Sequence, residues 1–99
     1  MKVTRMAESF GLDVEFHAPG PAQRHCIAAT RNTNYYELAL VHPDCQNTQP
    51  PVYNGDYSDM IDTIDSDGHV QVPTGPGLGV DYDWSYIEDN QTGSLHIYE

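Results

Sequence analysis

Basic side chains are scarce in this sequence. Four Lys and Arg residues stand against 15 Asp and Glu residues, which gives a formal net charge of −11. Binding to nucleic acid or to an anionic membrane surface needs clustered Lys and Arg, so neither function is expected. Lys occurs only at Lys2, and ten of the acidic residues are Asp. Such a bias is typical of proteins that stay soluble in concentrated salt, where ions screen the repulsion between like charges. We therefore expect a halophilic source.

Long apolar runs are also missing. No stretch approaches the roughly 18 apolar residues of a membrane-spanning helix. No apolar segment of about 7–15 residues follows the basic residues Lys2 and Arg5, as it would in a secretory leader. The two cysteines, Cys26 and Cys45, are too few for a disulfide framework. These absences predict a cytoplasmic protein with free thiols.

Length and aliphatic content limit the fold. The chain has 99 residues, enough for one small domain but not for a complete (β/α)₈ barrel, which needs about 250 residues. Leu, Ile, Val and Phe together make up 19 of the 99 residues, which with this net charge lies at the compositional edge of disorder. Seven Tyr and one Trp favour packing. We therefore expect a chain that packs against a partner surface.

The first 40 residues alternate between helical and extended patterns. Apolar positions recur at helical spacing up to Gly11, a residue that suits the end of a helix. Residues 12–17 then alternate apolar and polar side chains, as a short strand does. Pro21 suits the first turn of a second helix over 22–30, and the tyrosine-rich residues 34–40 predict a second strand. This order of elements is typical of an α/β protein with a parallel sheet.

The pattern is less regular after residue 41. We expect Trp84 and Ile87 to face inward from a short helix that is capped by Asp81 and extends to about Asn90. The remaining expectations are a loop over 42–51, a strand over 68–73, a glycine-rich turn over 74–80, a strand over 94–98, and a solvated acidic face formed by Asp56, Asp59, Asp62, Asp65 and Asp67.

Two patterns resemble metal sites but lack the spacing that such sites need. Residues 65–68 resemble part of a calcium loop, yet the twelfth position, where a bidentate Glu is needed, is Thr74. The pairs His25–Cys26 and His42–Cys45 offer four soft ligands, but zinc sites usually show two closely spaced ligand clusters. We expect neither metal in these segments.

His17 and Glu37 form the most informative pair in the sequence. Each lies at or near the end of a predicted strand, and parallel α/β folds carry their sites at the carboxyl ends of strands. Consecutive parallel strands would bring the two side chains together at one rim. Histidine can take a proton near neutral pH, and a carboxyl group can donate or hold one. From the pattern alone, a surface histidine and a solvated glutamate are the favoured interpretation.

A resemblance to a known family favours the catalytic interpretation of His17 and Glu37. Six segments, in this order and spacing, resemble the C-terminal part of an enolase-superfamily enzyme of the mandelate racemase and muconate-lactonizing group, which includes acid-sugar dehydratases: residues 7–12 (AESFGL), 14–17 (VEFH), 25–30 (HCIAAT), 34–37 (NYYE), 68–73 (GHVQVP) and 75–80 (GPGLGV).

The resemblance implies a fold and two site residues. Residues 1–45 would be the last βα units of a modified TIM barrel, and residues 46–99 an extension returning towards an α+β capping domain, so the α/β chain would be incomplete as a standalone fold. His17 would match the general base that removes the proton α to a carboxylate. Glu37 would match the acidic residue that hydrogen-bonds the substrate carboxylate. His25 would have a structural role.

The resemblance also implies groups that this sequence does not supply. The full enzyme would use Mg²⁺, held by three acidic residues at the ends of earlier strands, and would act on an acid sugar or another carboxylate as a dehydratase or racemase. The isolated chain is then expected to be inactive, and its expected partner is the missing N-terminal part of the enzyme or a further copy of the chain in a homo-oligomer. The alternative is a non-catalytic remnant or interaction module that needs a partner chain.

Overall fold

The structure is a computed structural model that describes residues 1–38 and 51–93. The described part contains short elements, joined by turns and loops. In chain order they are helix α1 (Lys2–Ser9), helix α2 (Pro21–Ala28), strand β1 (Tyr53–Asn54), a 3₁₀ helix (Ile61–Thr63), strand β2 (Asp81–Tyr82) and helix α3 (Trp84–Asp89). The segments predicted for 39–50 and 94–98, including His42, Cys45 and the final strand, lie outside the described residues.

Both predicted N-terminal helices are confirmed. Helix α1 ends before Gly11, whose φ of 69° is the left-handed conformation that glycine adopts without strain. The N–H of Gly11 donates to the carbonyl of Glu8 at 3.0 Å and closes the end of the helix. Helix α2 begins at Pro21, as a proline at the first helical position predicts, and ends at Ala28.

The two predicted N-terminal strands are reduced to one point of contact. Phe16 and Tyr36 form an isolated parallel bridge, so the parallel orientation is confirmed for this pair. Regular strands over 12–17 and 34–38 were the wrong prediction. One further backbone hydrogen bond, from the Val14 N–H to the carbonyl oxygen of Asn32 at 2.8 Å, joins the first segment to the turn before the second. A ladder needs continuous pairing, and strand propensity without such pairing does not make one.

The C-terminal half contains an antiparallel pair that the sequence did not predict. Strands β1 and β2 pair with Tyr53 opposite Tyr82. Asp81, predicted as a helix cap, lies in β2, and the cap of α3 is Asp83, whose Oδ1 accepts from the Tyr86 N–H at 2.9 Å. The predicted strand over 68–73 is reduced to one antiparallel bridge between Ile64 and Val70.

Packing around these elements leaves apolar side chains at the surface. The described residues contain no buried hydrophobic core; the buried polar or charged residues are Thr4, Arg24 and Asp59. Trp84, expected to face inward, is 63% exposed. The apolar side chains at helical spacing in and just after α1 form a stripe that is exposed as well: Val3, Met6 and Phe10. This architecture is consistent with an incomplete piece of an α/β fold. No helix in the described ranges 1–38 and 51–93 is long and apolar enough to cross a membrane.

Candidate active site

The Phe16–Tyr36 bridge aligns the residues that follow it. Because the two segments run parallel, His17 and Glu37 leave the bridge side by side. Nδ1 of His17 lies 2.8 Å from Oε2 of Glu37, a hydrogen-bond distance. The structure therefore brings together the two side chains that the sequence singled out, although they are 20 residues apart.

The loop after His17 supplies a second contact to the same carboxylate. The N–H of Ala18 donates to Oε2 of Glu37 at 2.8 Å. Ala18 has a φ of 70°, a left-handed conformation that costs a residue with a Cβ about 1–2 kcal/mol. Two residues on, the N–H of Gly20 donates to the hydroxyl oxygen of Tyr36 at 2.8 Å. Side chains of the neighbouring segment thus hold the loop at both ends. These hydrogen bonds keep Ala18 in its strained conformation beside the site.

These contacts set the charge of the pair. The hydrogen bond from the Ala18 N–H, followed by that from His17, lowers the pKa of Glu37 below its ordinary value of 4.5. Glu37 is therefore ionised near neutral pH and can only accept hydrogen bonds. Nδ1 of His17 must then carry the shared hydrogen, which in a neutral ring leaves Nε2 as the proton acceptor. The His17 side chain is 92% exposed, so Nε2 is open to an incoming molecule.

A second carboxylate, that of Glu15, lies with His17 and Glu37 in the lining of one surface depression. Glu15 lies two residues before His17, and its carboxylate accepts hydrogen bonds from the backbone N–H groups of Asn34 and Tyr35, both at 3.2 Å. Desolvation raises the pKa of Glu15, but these hydrogen bonds outweigh it and the net shift is downward. The depression has a volume of about 460 Å³ and is lined by Glu15, Phe16, His17, Tyr35 and Glu37. No motif marks Glu15 as a site residue in the sequence, although strand alternation places residues 15 and 17 on one face.

A buried ion pair lies outside the lining of this depression. Nη2 of Arg24 donates to Oδ1 of Asp59 at 2.6 Å, and the two side chains are only 6% and 0% exposed. Oδ2 of Asp59 accepts from the Tyr57 hydroxyl at 2.7 Å, and Oδ1 also accepts from the Tyr36 hydroxyl. We call these four residues the Arg24–Asp59 cluster. The expected solvated acidic face is therefore wrong at Asp59. The sequence carries no local signal for this pair because its members are 35 residues apart.

The guanidinium of Arg24 binds more than the carboxylate. It donates to the backbone oxygens of Ser58 at 2.5 Å and Gln71 at 3.0 Å, and its carbon lies 4.6 Å from the ring centroid of Tyr57. Desolvation raises the pKa of Tyr57, and its hydrogen bond to Asp59 raises it further. The Arg24–Asp59 cluster therefore joins α2 to the 57–71 segment through charge-assisted hydrogen bonds, which are stronger than neutral ones.

The other sequence candidates have local structural contacts. Nε2 of His25 lies 3.1 Å from the carbonyl oxygen of Leu78, which is consistent with the structural role expected for it. Oδ1 of Asp65 accepts from the N–H groups of Asp67 and His69 and closes a turn. The residues in 1–38 and 51–93 include no group of three or more His, Cys, Asp or Glu side chains that could hold a metal ion. A larger depression of about 640 Å³, lined in part by Arg24 and Asp81, contains neither His17 nor Glu37.

Comparison with known proteins agrees with the C-terminal resemblance at the level of the family. No curated protein and no solved structure matches the chain. The sequence model of the family described as "Enolase C-terminal domain-like" matches residues 1–86, which is most of the chain and includes both His17 and Glu37. The chain therefore belongs to the enolase C-terminal domain-like family, an α/β family of the enolase superfamily.

Proposed function

We propose that this chain is the C-terminal piece of an acid-sugar dehydratase or racemase in which His17 acts as the general base. The observation that carries the proposal is the 2.8 Å contact between His17 and Glu37 at the end of a parallel bridge. Family membership supports the superfamily, and the subgroup is part of the proposal. The capping-domain extension over 46–99 and the barrel units over 1–45 belong to the same proposal.

The chemistry follows from the donors and acceptors of the pair. Nε2 of neutral His17 would take the proton from the carbon α to a carboxylate, and the C–H electron pair would move into the carboxylate as an enediolate. In a racemase a second acid on the opposite face, outside this pair, would return a proton to that carbon. In a dehydratase the protonated His17 would give its proton to the β-hydroxyl, which leaves as water while the enediolate collapses to the α,β-unsaturated acid. The ionised Glu37 would stabilise the imidazolium that forms when Nε2 is protonated.

Two roles for Glu37 lead to different protonation states. The resemblance implies that Glu37 hydrogen-bonds the substrate carboxylate, which requires a protonated Glu37 because two carboxylates cannot hydrogen-bond without a shared proton. Its lowered pKa disfavours that form at neutral pH. The geometry supports the second role better, in which Glu37 holds His17 through Nδ1 and leaves Nε2 facing the substrate.

Enzymes of the enolase superfamily generally use Mg²⁺, and we extend this expectation to the full-length enzyme. When bound, Mg²⁺ supplies positive charge that stabilises an enediolate. The described residues do not fit this role, because they form no group of three or more potential ligands. We therefore propose that the Mg²⁺ ligands come from the N-terminal part of the enzyme. Of the described residues, the steps above use only His17 and Glu37.

A second candidate function is a non-catalytic module that needs a partner chain. It is favoured by the absence of a buried hydrophobic core within 1–38 and 51–93 and by the exposed stripe on α1. For the enzyme piece, the proposed partner is the N-terminal part of the enzyme or a further copy of this chain; for the module, it is a partner chain of unspecified identity. A cytoplasmic location and a salt-adapted source are also proposals.

The test uses the chain joined to the N-terminal part of the enzyme, encoded either in frame upstream or by a companion gene. A panel of acid sugars is incubated with Mg²⁺ in D₂O, and deuterium incorporation α to the carboxylate is followed by NMR. His17→Ala should abolish exchange, whereas the matched control His25→Ala should retain it if folded. Wild-type exchange in His17→Ala would remove the proposed base, and the absence of any in-frame or companion N-terminal sequence would favour the non-catalytic module.

The same assay separates the two roles of Glu37. Glu37→Gln keeps the shape of the side chain but removes the charge that stabilises the imidazolium. If Glu37 holds His17, the variant should lose most of its turnover with little change in KM. A raised KM with unchanged kcat would instead indicate that Glu37 binds the substrate carboxylate.

A further inference from the structure

The hydroxyl of Tyr36 connects two parts of the molecule that are distant in sequence. It donates to Oδ1 of Asp59 and accepts the hydrogen bond of the Gly20 N–H at 2.8 Å. Asp59 belongs to the C-terminal half of the chain, and Gly20 ends the loop that carries Ala18. A phenol that donates and accepts at once has its orientation fixed from both sides, since it has one proton to donate.

The loop between these contacts reaches the candidate site. Ala18 keeps its strained φ of 70° while its N–H donates to Glu37. Strain of this kind persists only where the surrounding structure holds the backbone in place. Gly20 is two residues away and is fixed by Tyr36, which itself precedes Glu37 in the chain. The hydrogen bonds therefore run in sequence from Asp59 through Tyr36 and the loop to Glu37.

We propose that Tyr36, fixed by the buried carboxylate of Asp59, is a positioning residue that aims the Ala18 N–H at Glu37 and so holds the His17–Glu37 pair. The importance of Tyr36 for turnover rests on the proposed function, whereas the series of hydrogen bonds from Asp59 to Glu37 does not. The C-terminal half then has a defined task at the site: it supplies the carboxylate that orders the loop after His17.

The chain offers a matched pair of variants. Tyr36 and Tyr57 both donate a phenolic hydrogen bond to Asp59, and the Arg24 guanidinium lies over both rings, 5.1 Å and 4.6 Å from their centroids. Only Tyr36 also accepts from the Gly20 N–H. Tyr36→Phe and Tyr57→Phe therefore remove similar hydrogen bonds from the Arg24–Asp59 cluster, but only the first disconnects the loop.

Two NMR measurements on the full 99-residue chain read out the linkage. The first is the titration of the Glu37 side-chain carboxyl carbon, followed through its own resonance because His17 and Glu15 border the same depression. The second is the hydrogen exchange of the Ala18 amide. Tyr36→Phe should move the pKa of Glu37 up towards 4.5 and accelerate Ala18 exchange about tenfold, in keeping with the loss of one hydrogen bond. Tyr57→Phe should change neither.

Unchanged values in Tyr36→Phe, or equal changes in both variants, would overturn the proposal. If Tyr36→Phe does not fold, 3-fluorotyrosine at position 36 replaces it, because fluorine keeps the ring and the hydroxyl but makes the oxygen a poorer acceptor for the Gly20 N–H. Ala18 exchange should then quicken with the label at 36 and stay constant with it at 57; no change at 36 again overturns the linkage. If every full-length enzyme tested lacks turnover while the NMR measurements still show the effect of Tyr36 on Glu37 and Ala18, only the proposed function is rejected.

Discussion

Asp59→Asn is expected to be the most destabilising single charge change in the described part of the chain. The substitution keeps the size of the side chain and removes its charge. It leaves Arg24 buried, with a guanidinium that is 6% exposed and no longer faces a carboxylate at 2.6 Å. Water cannot solvate that charge in place of the carboxylate without opening the contact between α2 and the 57–71 segment.

The magnitude follows from the distance and the burial. At 2.6 Å and an effective dielectric constant of about 20, the Coulomb attraction is about 6 kcal/mol. Desolvation of the two groups offsets part of it, and removing one partner of a buried pair typically costs about 3–5 kcal/mol. Even a complete domain with a buried core has a total free energy of unfolding of only about 5–15 kcal/mol, so a loss of this size is large for a chain whose described residues contain no buried hydrophobic core. The substitution should therefore lower the melting temperature by more than about 10 °C.

Urea and thermal unfolding, followed by circular dichroism, measure this effect. The matched control is Asp56→Asn, which makes the same charge change at an exposed position three residues away and should alter stability by less than about 0.5 kcal/mol. Combining Asp59→Asn with Arg24→Met removes both charges, so the double variant should be less destabilised than the sum of the single variants. Equal stabilities of Asp59→Asn and Asp56→Asn would refute the argument.

Three further predictions concern charge and capping. Raising NaCl from about 0.1 M to 1 M shortens the screening length from about 10 Å to 3 Å and should raise the melting temperature of a chain with a net charge of −11; an unchanged melt would reject the salt-adapted surface. Asp83→Ala should cost about 1 kcal/mol and speed amide exchange in α3, whereas Asp81→Ala should leave α3 exchange unchanged. The folded pKa of Glu37 is below 4.5, so the contribution of its ionised form to stability is complete above pH 4.5 and is lost as the pH falls through the folded pKa. Glu37→Gln should therefore lose less stability below pH 4.5 than the wild type does. Equal acid sensitivity of the two proteins would contradict this.

Local sequence signals predicted the helices well because helix ends depend on neighbouring residues. Gly11 and Pro21 punctuate the chain through their own backbone preferences, and the structure ends α1 and begins α2 there. The cap of α3 was misplaced by two residues. Asp81 and Asp83 are equally good caps in isolation, and the pairing of Asp81 with Asn54 decided between them.

The strands were predicted less well because a strand is completed by its neighbours. Residues 12–17 have the alternation of a strand, yet the described structure provides one parallel bridge, at Phe16. Trp84 was expected inside on helical spacing, but it contacts the ring of Tyr82 with a centroid distance of 5.7 Å and remains exposed. Spacing predicts which side chains share a face, and it does not say what covers that face.

Composition, charge and the two N-terminal helices could be obtained from the sequence, since each depends on residue identity and short-range order. The candidate pair His17 and Glu37 was also found from the sequence, but through the expected parallel strands and the family resemblance. Only the tertiary structure decided that Ala18 has a strained φ while its N–H donates to Glu37, and that Asp59 is buried. It also decided that Tyr36 links Asp59 to the loop that contains Ala18. These contacts span 16–35 residues, and a carboxylate looks the same in sequence whether water or an arginine surrounds it. Burial and partner geometry, which only the folded chain defines, separate the exposed aspartates from the one that orders the site.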